Sequence, residues 1–200
     1  EGLLKRLYTI QEKNRVLEEF NLKLSLKLFK TPYLDRRIQG LKGIIDTVKN
    51  AKFSQYKPGK SEELAQWIKD NQILEDIFGS SAHYQLIQRA GELIRNQANE
   101  NMLSTEIIEE IWKASEKNDE DMSGAVYKVL SEVSTSLKAE QIEAIVQLIR
   151  KIPKLTTEHV DLLYELTKYP LRAGNATSWA CDMLWELALS QGPHSGRVLD

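Results

Sequence analysis

The side chains of this 200-residue chain with the widest chemical reach are one cysteine, Cys181, and three histidines, His83, His159 and His194. A thiol becomes a nucleophile when a base or a helix N-terminus beside it holds the thiolate. Cys181 instead falls in an apolar helical stripe with Trp179, Met183 and Leu184, which predicts packing. The histidines are scattered, and neither a His-x-x-x-His nor a Cys-x-x-Cys pair is written that would hold zinc. Gly40 and Gly43 flank Leu41 and Lys42, but they lie in a helical pattern with no strand before it, so they make no phosphate-cradling loop. Asn175-Ala176-Thr177 matches the glycosylation acceptor and reads as a chance match in a turn. No catalytic, cofactor-binding or metal-ligating residue is therefore assigned.

Two groups remain as candidates for binding. Trp67, Trp112, Trp179 and Trp185 sit within apolar helical patterns, which predicts core packing rather than a ligand-stacking cage. Arg36, Arg37 and Lys42 share one predicted helix and form a candidate partner surface, against the plainer reading of a solvated face. Charge is uneven. Residues 1–60 hold 14 Lys/Arg against 6 Asp/Glu, and residues 61–200 hold 13 against 23, so a basic third precedes an acidic remainder. That imbalance suits docking between parts of a larger protein, or, as the alternative, a nucleic-acid surface in the basic third. The basic residues are interspersed with acids and lack the aromatic interleaving that single-stranded nucleic acid uses, which makes nucleic acid the weaker of the two.

The elements that would position these residues are helices. One pattern is written three times: Leu103-Ser-Thr-Glu106-Ile-Ile108-Glu-Glu-Ile111-Trp112, Leu137-Lys-Ala-Glu140-Gln-Ile142-Glu-Ala-Ile145-Val146 and Leu155-Thr-Thr-Glu158-His-Val160-Asp-Leu-Leu163-Tyr164. Each copy has an apolar residue, a helix start, a Glu at the positive end of the helix dipole, and apolar residues three and four apart. A Ser or Thr is the expected cap, with Ser136 in that role for the second copy. Such repetition predicts stacked helices.

Taken in order, residues 2–29 form one long helical pattern, and Thr31-Pro32 supplies a capping hydroxyl and an N1 proline for a second helix to about Ala51. Phe53 to Lys60, with Pro58 and Gly59, reads as a linker between a basic helical pair over 1–52 and a helical array over 61–192. Within the array, Ser61, Asn71 and Ser81 are expected to open helices, Gly79 to end one, and Gly91 to mark a close helix crossing. Residues 193–200 are expected to fray. The chain opens at Glu1 without a secretory layout and reads as a piece of something longer, in a reducing compartment. No apolar run approaches the roughly 20 residues that span a bilayer, so no membrane role is expected. The class is all-α, antiparallel helices joined by short turns.

Several of these helical segments carry a family resemblance. Leu64-Ala65-Gln66-Trp67-Ile68 with Asn71-Gln-Ile73-Leu74, then Leu103 with Ile111-Trp112, Leu137 with Glu140-Gln141-Ile142, and Leu184-Trp185-Glu-Leu187-Ala188 resemble the helical region upstream of the catalytic domain in very large ubiquitin-specific proteases of the fat-facets type. Thr31-Pro32-Tyr33-Leu34-Asp35-Arg36-Arg37 with Leu41 is similar to a segment of the same region. The resemblance covers residues 25–190 and consists of helix-packing patterns. It implies an armadillo- or HEAT-like α-solenoid, and a cytosolic, partly nuclear parent that removes ubiquitin by cysteine isopeptidase chemistry in a separate domain. No residue here matches that domain's Cys and His boxes, so none is carried over. The implied role is a scaffold for protein partners: substrates, regulators or the parent's own catalytic domain. The basic N-terminal third departs from the family pattern, which leaves the choice of partner open.

Overall fold

The computed structural model describes residues 10–53, 59–116, 119–168 and 176–189. Among them there are only helices: α1 (Ile10–Phe29), α2 (Leu34–Phe53), α3 (Lys60–Asp70), α4 (Ile73–Phe78), α5 (Tyr84–Ile87), α6 (Gly91–Asn99), α7 (Thr105–Ser115), α8 (Glu120–Val133), a 3-10 turn (Ser134–Ser136), α9 (Ala139–Arg150), α10 (Thr157–Thr167) and α11 (Ala176–Leu189). The chain divides into two compact units, Glu1–Lys60 and Ser61–Asp200. The expected helix over residues 2–9, most of the 53–60 linker, and the 193–200 tail with His194 lie outside the described residues.

In the first unit α1 and α2 form an antiparallel hairpin. Its closeness is set by two glycines that make no phosphate loop. A Cβ on Gly40 would land on the backbone of Ser25 and Phe29, and one on Gly43 would land on the Ser25 hydroxyl. Leu41, Ile44, Ile45 and Val48 of α2 and Phe29 of α1 are buried beside that crossing. Thr31 does not cap α2 as expected. Its hydroxyl turns back to donate to the Leu28 carbonyl at 2.8 Å, closing α1, and α2 begins after Tyr33.

The second unit is an α-solenoid of two rows. In one row α7 packs on α4, α9 on α7 and α11 on α9; in the other α8 packs on α5 and α6, and α10 on α8. Pairs α7·α8, α9·α10 and α10·α11 join the rows. The apolar stripes meet between the rows: Ile108, Ile111 and Trp112 of α7, Val126, Val129 and Leu130 of α8, Ile145 and Ile149 of α9, and Leu162 and Leu163 of α10 are all buried. Two copies of the sequence pattern start successive members of one row, α7 and α9. The third starts α10, in the other row, and its Leu155 is half-buried where Leu103 and Leu137 are buried. The pattern therefore encodes how a helix starts, and the row is decided by what the helix packs on.

Local starts and stops differ from expectation at several points. Ser136 lies in the 3-10 turn and leaves the start of α9 to Lys138 and Gln141. Asn71 closes α3, its side-chain amide donating to the Trp67 carbonyl at 2.8 Å, and the left-handed Gln72 (φ 52°) reverses the chain into α4. At the start of α5 the Gln85 N–H donates to His83 Nδ1 at 3.3 Å, so His83 takes the capping place expected of Ser81. Gly91 opens α6 after a break and marks no close crossing, since a Cβ there would make ordinary contacts with Glu132 and Val133 at 3.5 and 3.9 Å. Cys181 and Trp185 are exposed on α11, one helical position off the buried stripe of Ala180 and Met183. Trp112 is buried as expected, and the Trp179 side chain lies outside the described residues.

The two glycines predict opposite responses to a methyl group. Gly40→Ala forces the backbones of α1 and α2 apart and costs about 3 kcal/mol or more, as overpacking against an unyielding neighbour does. Gly91→Ala is neutral or stabilising by up to about 1 kcal/mol, because Ala loses less entropy on entering a helix. Urea unfolding of each variant checks this; equal effects would refute the crossing as the cause.

Candidate functional site

The buried polar side chains of the solenoid do the work of fastening it. Gln97, on α6, donates from Nε2 to the Ala65 carbonyl of α3 at 2.8 Å, and its backbone carbonyl accepts from the N–H groups of Met102 (2.8 Å) and Leu103 (3.2 Å). Leu103 in turn offers its carbonyl to Gln141 Nε2 at 2.5 Å, while Gln141 Oε1 accepts the Lys138 N–H at 2.9 Å. Gln141 thus caps its own helix and reaches the turn before α7. Both glutamines are 1% exposed, so an unmade bond here would cost the full desolvation of an amide or carbonyl.

His159 holds the corresponding place in α10. Its Nδ1 accepts the Thr156 N–H at 3.0 Å and lies 2.8 Å from Thr156 Oγ1, while Nε2 lies 2.9 Å from Tyr127 Oη of α8. A backbone N–H can only donate, so Nδ1 is an acceptor, the ring proton is on Nε2, and Nε2–H donates to the phenol oxygen. The ring also meets Tyr127 at 4.6 Å and Trp112 of α7 at 6.2 Å between centroids. Burial pushes the His159 imidazole below its ordinary value of 6.5, with Glu158 opposing. Burial likewise pushes the Tyr127 phenol up, aided by Glu116 and Glu158 and opposed by a hydrogen bond with Ser115.

Above this cluster opens a cleft of about 570 Å³, lined by Ser115, Glu116, Asp119, Glu120, Ser123, Gly124, Tyr127, Thr156, Glu158 and His159. Among the described lining residues the charged groups are all acidic. Asp119 is occupied locally, since its Oδ1 accepts the Asp121 and Met122 N–H groups at 3.0 and 3.2 Å to start α8. Among the described residues no three His, Cys, Asp or Glu side chains converge to hold a metal. None of this polar architecture was singled out in the sequence; the detectable signal was Gln141 and His159 at the same place in two copies of one pattern.

The basic candidates sit in the other unit. Arg36 and Lys42 are exposed on α2, whereas Arg37 is half-buried with its guanidinium 5.5 Å from the ring of buried Phe29. Arg36 lies 5.2 Å from the exposed Tyr33 ring. At about 100° per residue, Lys42 points roughly 120° away from Arg36 and 140° from Arg37 around the helix. The three do not gather into one patch.

Comparison with known proteins decides the family. The UBP24/USP9X/USP9Y ARM repeat matches residues 15–194. The chain belongs to this ARM repeat family. Mouse ubiquitin carboxyl-terminal hydrolase 9X is 22% identical over 151 residues, 71% of this chain and 6% of that protein. Human ubiquitin carboxyl-terminal hydrolase 34 is 32% identical over 104 residues, 48% of this chain and 3% of that protein. The fruit-fly probable ubiquitin carboxyl-terminal hydrolase FAF is 22% identical over 156 residues, 70% of this chain and 6% of that protein. The chain thus spans a small fraction of the length of these relatives, and the ARM match covers both the basic α2 and the clasped rows of α7 to α11.

The Gln141 clasp carries a stability prediction. Gln141→Ala removes a cap and strands the buried Leu103 carbonyl, for a loss of about 2–4 kcal/mol. Exposed Gln147→Ala on the same helix changes stability by less than about 0.5 kcal/mol. Denaturant midpoints at pH 7 test the contrast, and a Gln141 cost below about 1 kcal/mol refutes the clasp.

Proposed function

We propose that this chain is a non-catalytic ARM segment of a large ubiquitin carboxyl-terminal hydrolase, and that it serves as a scaffold for protein partners. The match to the ARM repeat of UBP24, USP9X and USP9Y over residues 15–194 carries this reading. The two-row solenoid supports it: its helices are fixed to their neighbours by aliphatic burial and, at α6, α9 and α10, by buried side-chain hydrogen bonds, so exposed residues are held at fixed spacing over a long surface. In this reading the parent is a thiol-dependent deubiquitinase of the cytosol, partly of the nucleus. Residues 53–60 link a basic helical pair to the array, and the array holds a substrate, a regulator or the parent's catalytic domain. Holding a conjugate in this way raises the effective concentration of its ubiquitin at a distant active site without adding to the chemistry. Arg36 and Lys42 offer exposed positive charge to an acidic protein partner.

Deleting the α3–α11 array from the full-length parent is expected to leave hydrolysis of a small ubiquitin–fluorophore substrate within about twofold, while cleavage of native conjugates falls tenfold or more, the lower end of what tethering supplies. Equal rates on native conjugates with and without the array would overturn the scaffold role. In lysate, Arg36→Glu with Lys42→Glu is expected to release acidic partners that survive nuclease and moderate salt. Captured material that vanishes on nuclease treatment would instead assign the basic third to nucleic acid, whose affinity falls steeply with salt.

A further inference from the structure

We propose that His159 is a proton-operated clasp: uptake of a proton at Nδ1 of its imidazole breaks the bond from the Thr156 N–H that fastens the start of α10 to the ring, and loosens that start at the floor of the acidic cleft, while Nε2–H stays on Tyr127 of α8. This goes beyond the scaffold reading and does not depend on it. The inference rests on the hydrogen-bond geometry. In the neutral ring Nδ1 accepts from the Thr156 N–H at 3.0 Å and Nε2–H donates to Tyr127 Oη at 2.9 Å. A proton on Nδ1 turns that acceptor into a donor facing a donor. The Thr156 hydroxyl, 2.8 Å away, can turn to accept it, but the backbone N–H cannot turn. The Thr156 N–H therefore loses its acceptor, one half of the reciprocal cap at the start of α10, and a positive ring is left at the positive end of the helix dipole.

The surroundings decide which way the balance falls. Glu158 on α10, Glu116 after α7, and Asp119 and Glu120 at the start of α8 line the cleft together with the Tyr127 phenol, and no Lys or Arg is among the described lining residues. These carboxylates, Glu158 foremost, favour the imidazolium. Against them stand burial of the ring, which is 5% exposed, and its packing on Trp112 and Tyr127. Among the described buried residues of α9, α11 and the 3-10 turn, the other elements on α10, none is ionisable. Burial prevails and the folded ring takes its proton less readily than the unfolded one. The unfolded chain then binds more protons below about pH 6.5, so stability is complete above that value and is lost as pH falls through the lower, folded value.

The discriminating variant is His159→Gln in the 200-residue chain. Glutamine at this position can accept the Thr156 N–H as Gln141 accepts the Lys138 N–H in α9, and it does not titrate in this range. Urea unfolding between pH 5 and 8 is expected to show parallel profiles above pH 7. Below about pH 6.5 the wild-type unfolding constant should climb relative to the variant with a slope approaching one proton, about tenfold per pH unit. Proton NMR of the wild-type ring should place the His159 midpoint below that of a histidine in the urea-unfolded chain, with Thr156 amide exchange, corrected for intrinsic rate, accelerating through the same midpoint. Parallel profiles across the whole range overturn the proposal. So does a ring midpoint at or above the unfolded one, and this measurement decides even where His159→Gln fails to fold.

Discussion

The second unit depends on one recurring constraint: a helix that starts inside the stack must satisfy its free N–H groups with a side chain that also has something to do across the row. Gln141 and His159 meet it in the same way, with one atom on their own helix start and the other on a neighbour, the Leu103 carbonyl in one case and the Tyr127 hydroxyl in the other. A solvent-facing cap needs only the first bond, as Ser104 shows with its hydroxyl accepting the Ile107 N–H at 3.5 Å. Where the start is buried, the second atom of the side chain would be stranded unless paired, and burial of a stranded polar atom costs more than the cap returns. The two-ended side chain solves both problems at once. It also fixes the rotation of its helix, since the cap and the bond to the neighbouring member of its row cannot both survive a turn about the axis.

Aliphatic burial supplies the bulk of the stabilisation and these clasps supply its register. The stripes of Ile, Val and Leu between the rows would tolerate sliding by a helical turn, because one branched side chain fills a hole much as another does. The Gln97 bonds to Ala65 and to the turn before Leu103, followed by the Gln141 bond to Leu103, admit one arrangement of α3, α6, α7 and α9. In the first unit the same selectivity comes from contact instead of polarity. Gly40 and Gly43 let the backbones of α1 and α2 approach closely where they cross.

This division explains what the sequence made legible. Period-3.6 stripes carried the all-α class and marked the described helices, except that a single stripe from Tyr84 to Ile94 ran through the break between α5 and α6, because a stripe depends only on which residues leave water. The three-copy pattern marked the starts of α7, α9 and α10, though it could not assign α10 to the second row. Capping roles were misread at Thr31, Asn71 and Ser136, where a short polar side chain suits either the end of one helix or the start of the next and the outcome depends on where the chain turns. Trp185 and Cys181 show the converse. Their spacing is helical, but α11 buries Ala180 and Met183, and a stripe one position over looks the same on paper. Of the candidate surface, Arg36 and Lys42 emerge exposed and Arg37 is drawn onto Phe29, a distinction that requires the neighbouring helix to be known.

The same logic bears on what kind of surface such a stack presents. A solenoid held by burial alone flexes wherever its stripes slide, and a partner docking across several helices must then pay for their ordering. Clasps at buried helix starts remove that freedom before the partner arrives, and they do so from inside, leaving exposed faces free to vary. On the proposed scaffold reading, a change of cargo would therefore alter exposed residues such as those on the outer faces of α2 and α8 and leave the glutamines alone. The choice of His at one clasp and Gln at another is not equivalent in this respect: the amide holds at any ordinary pH, whereas the imidazole makes the fastening of the start of α10 depend on the solution around it.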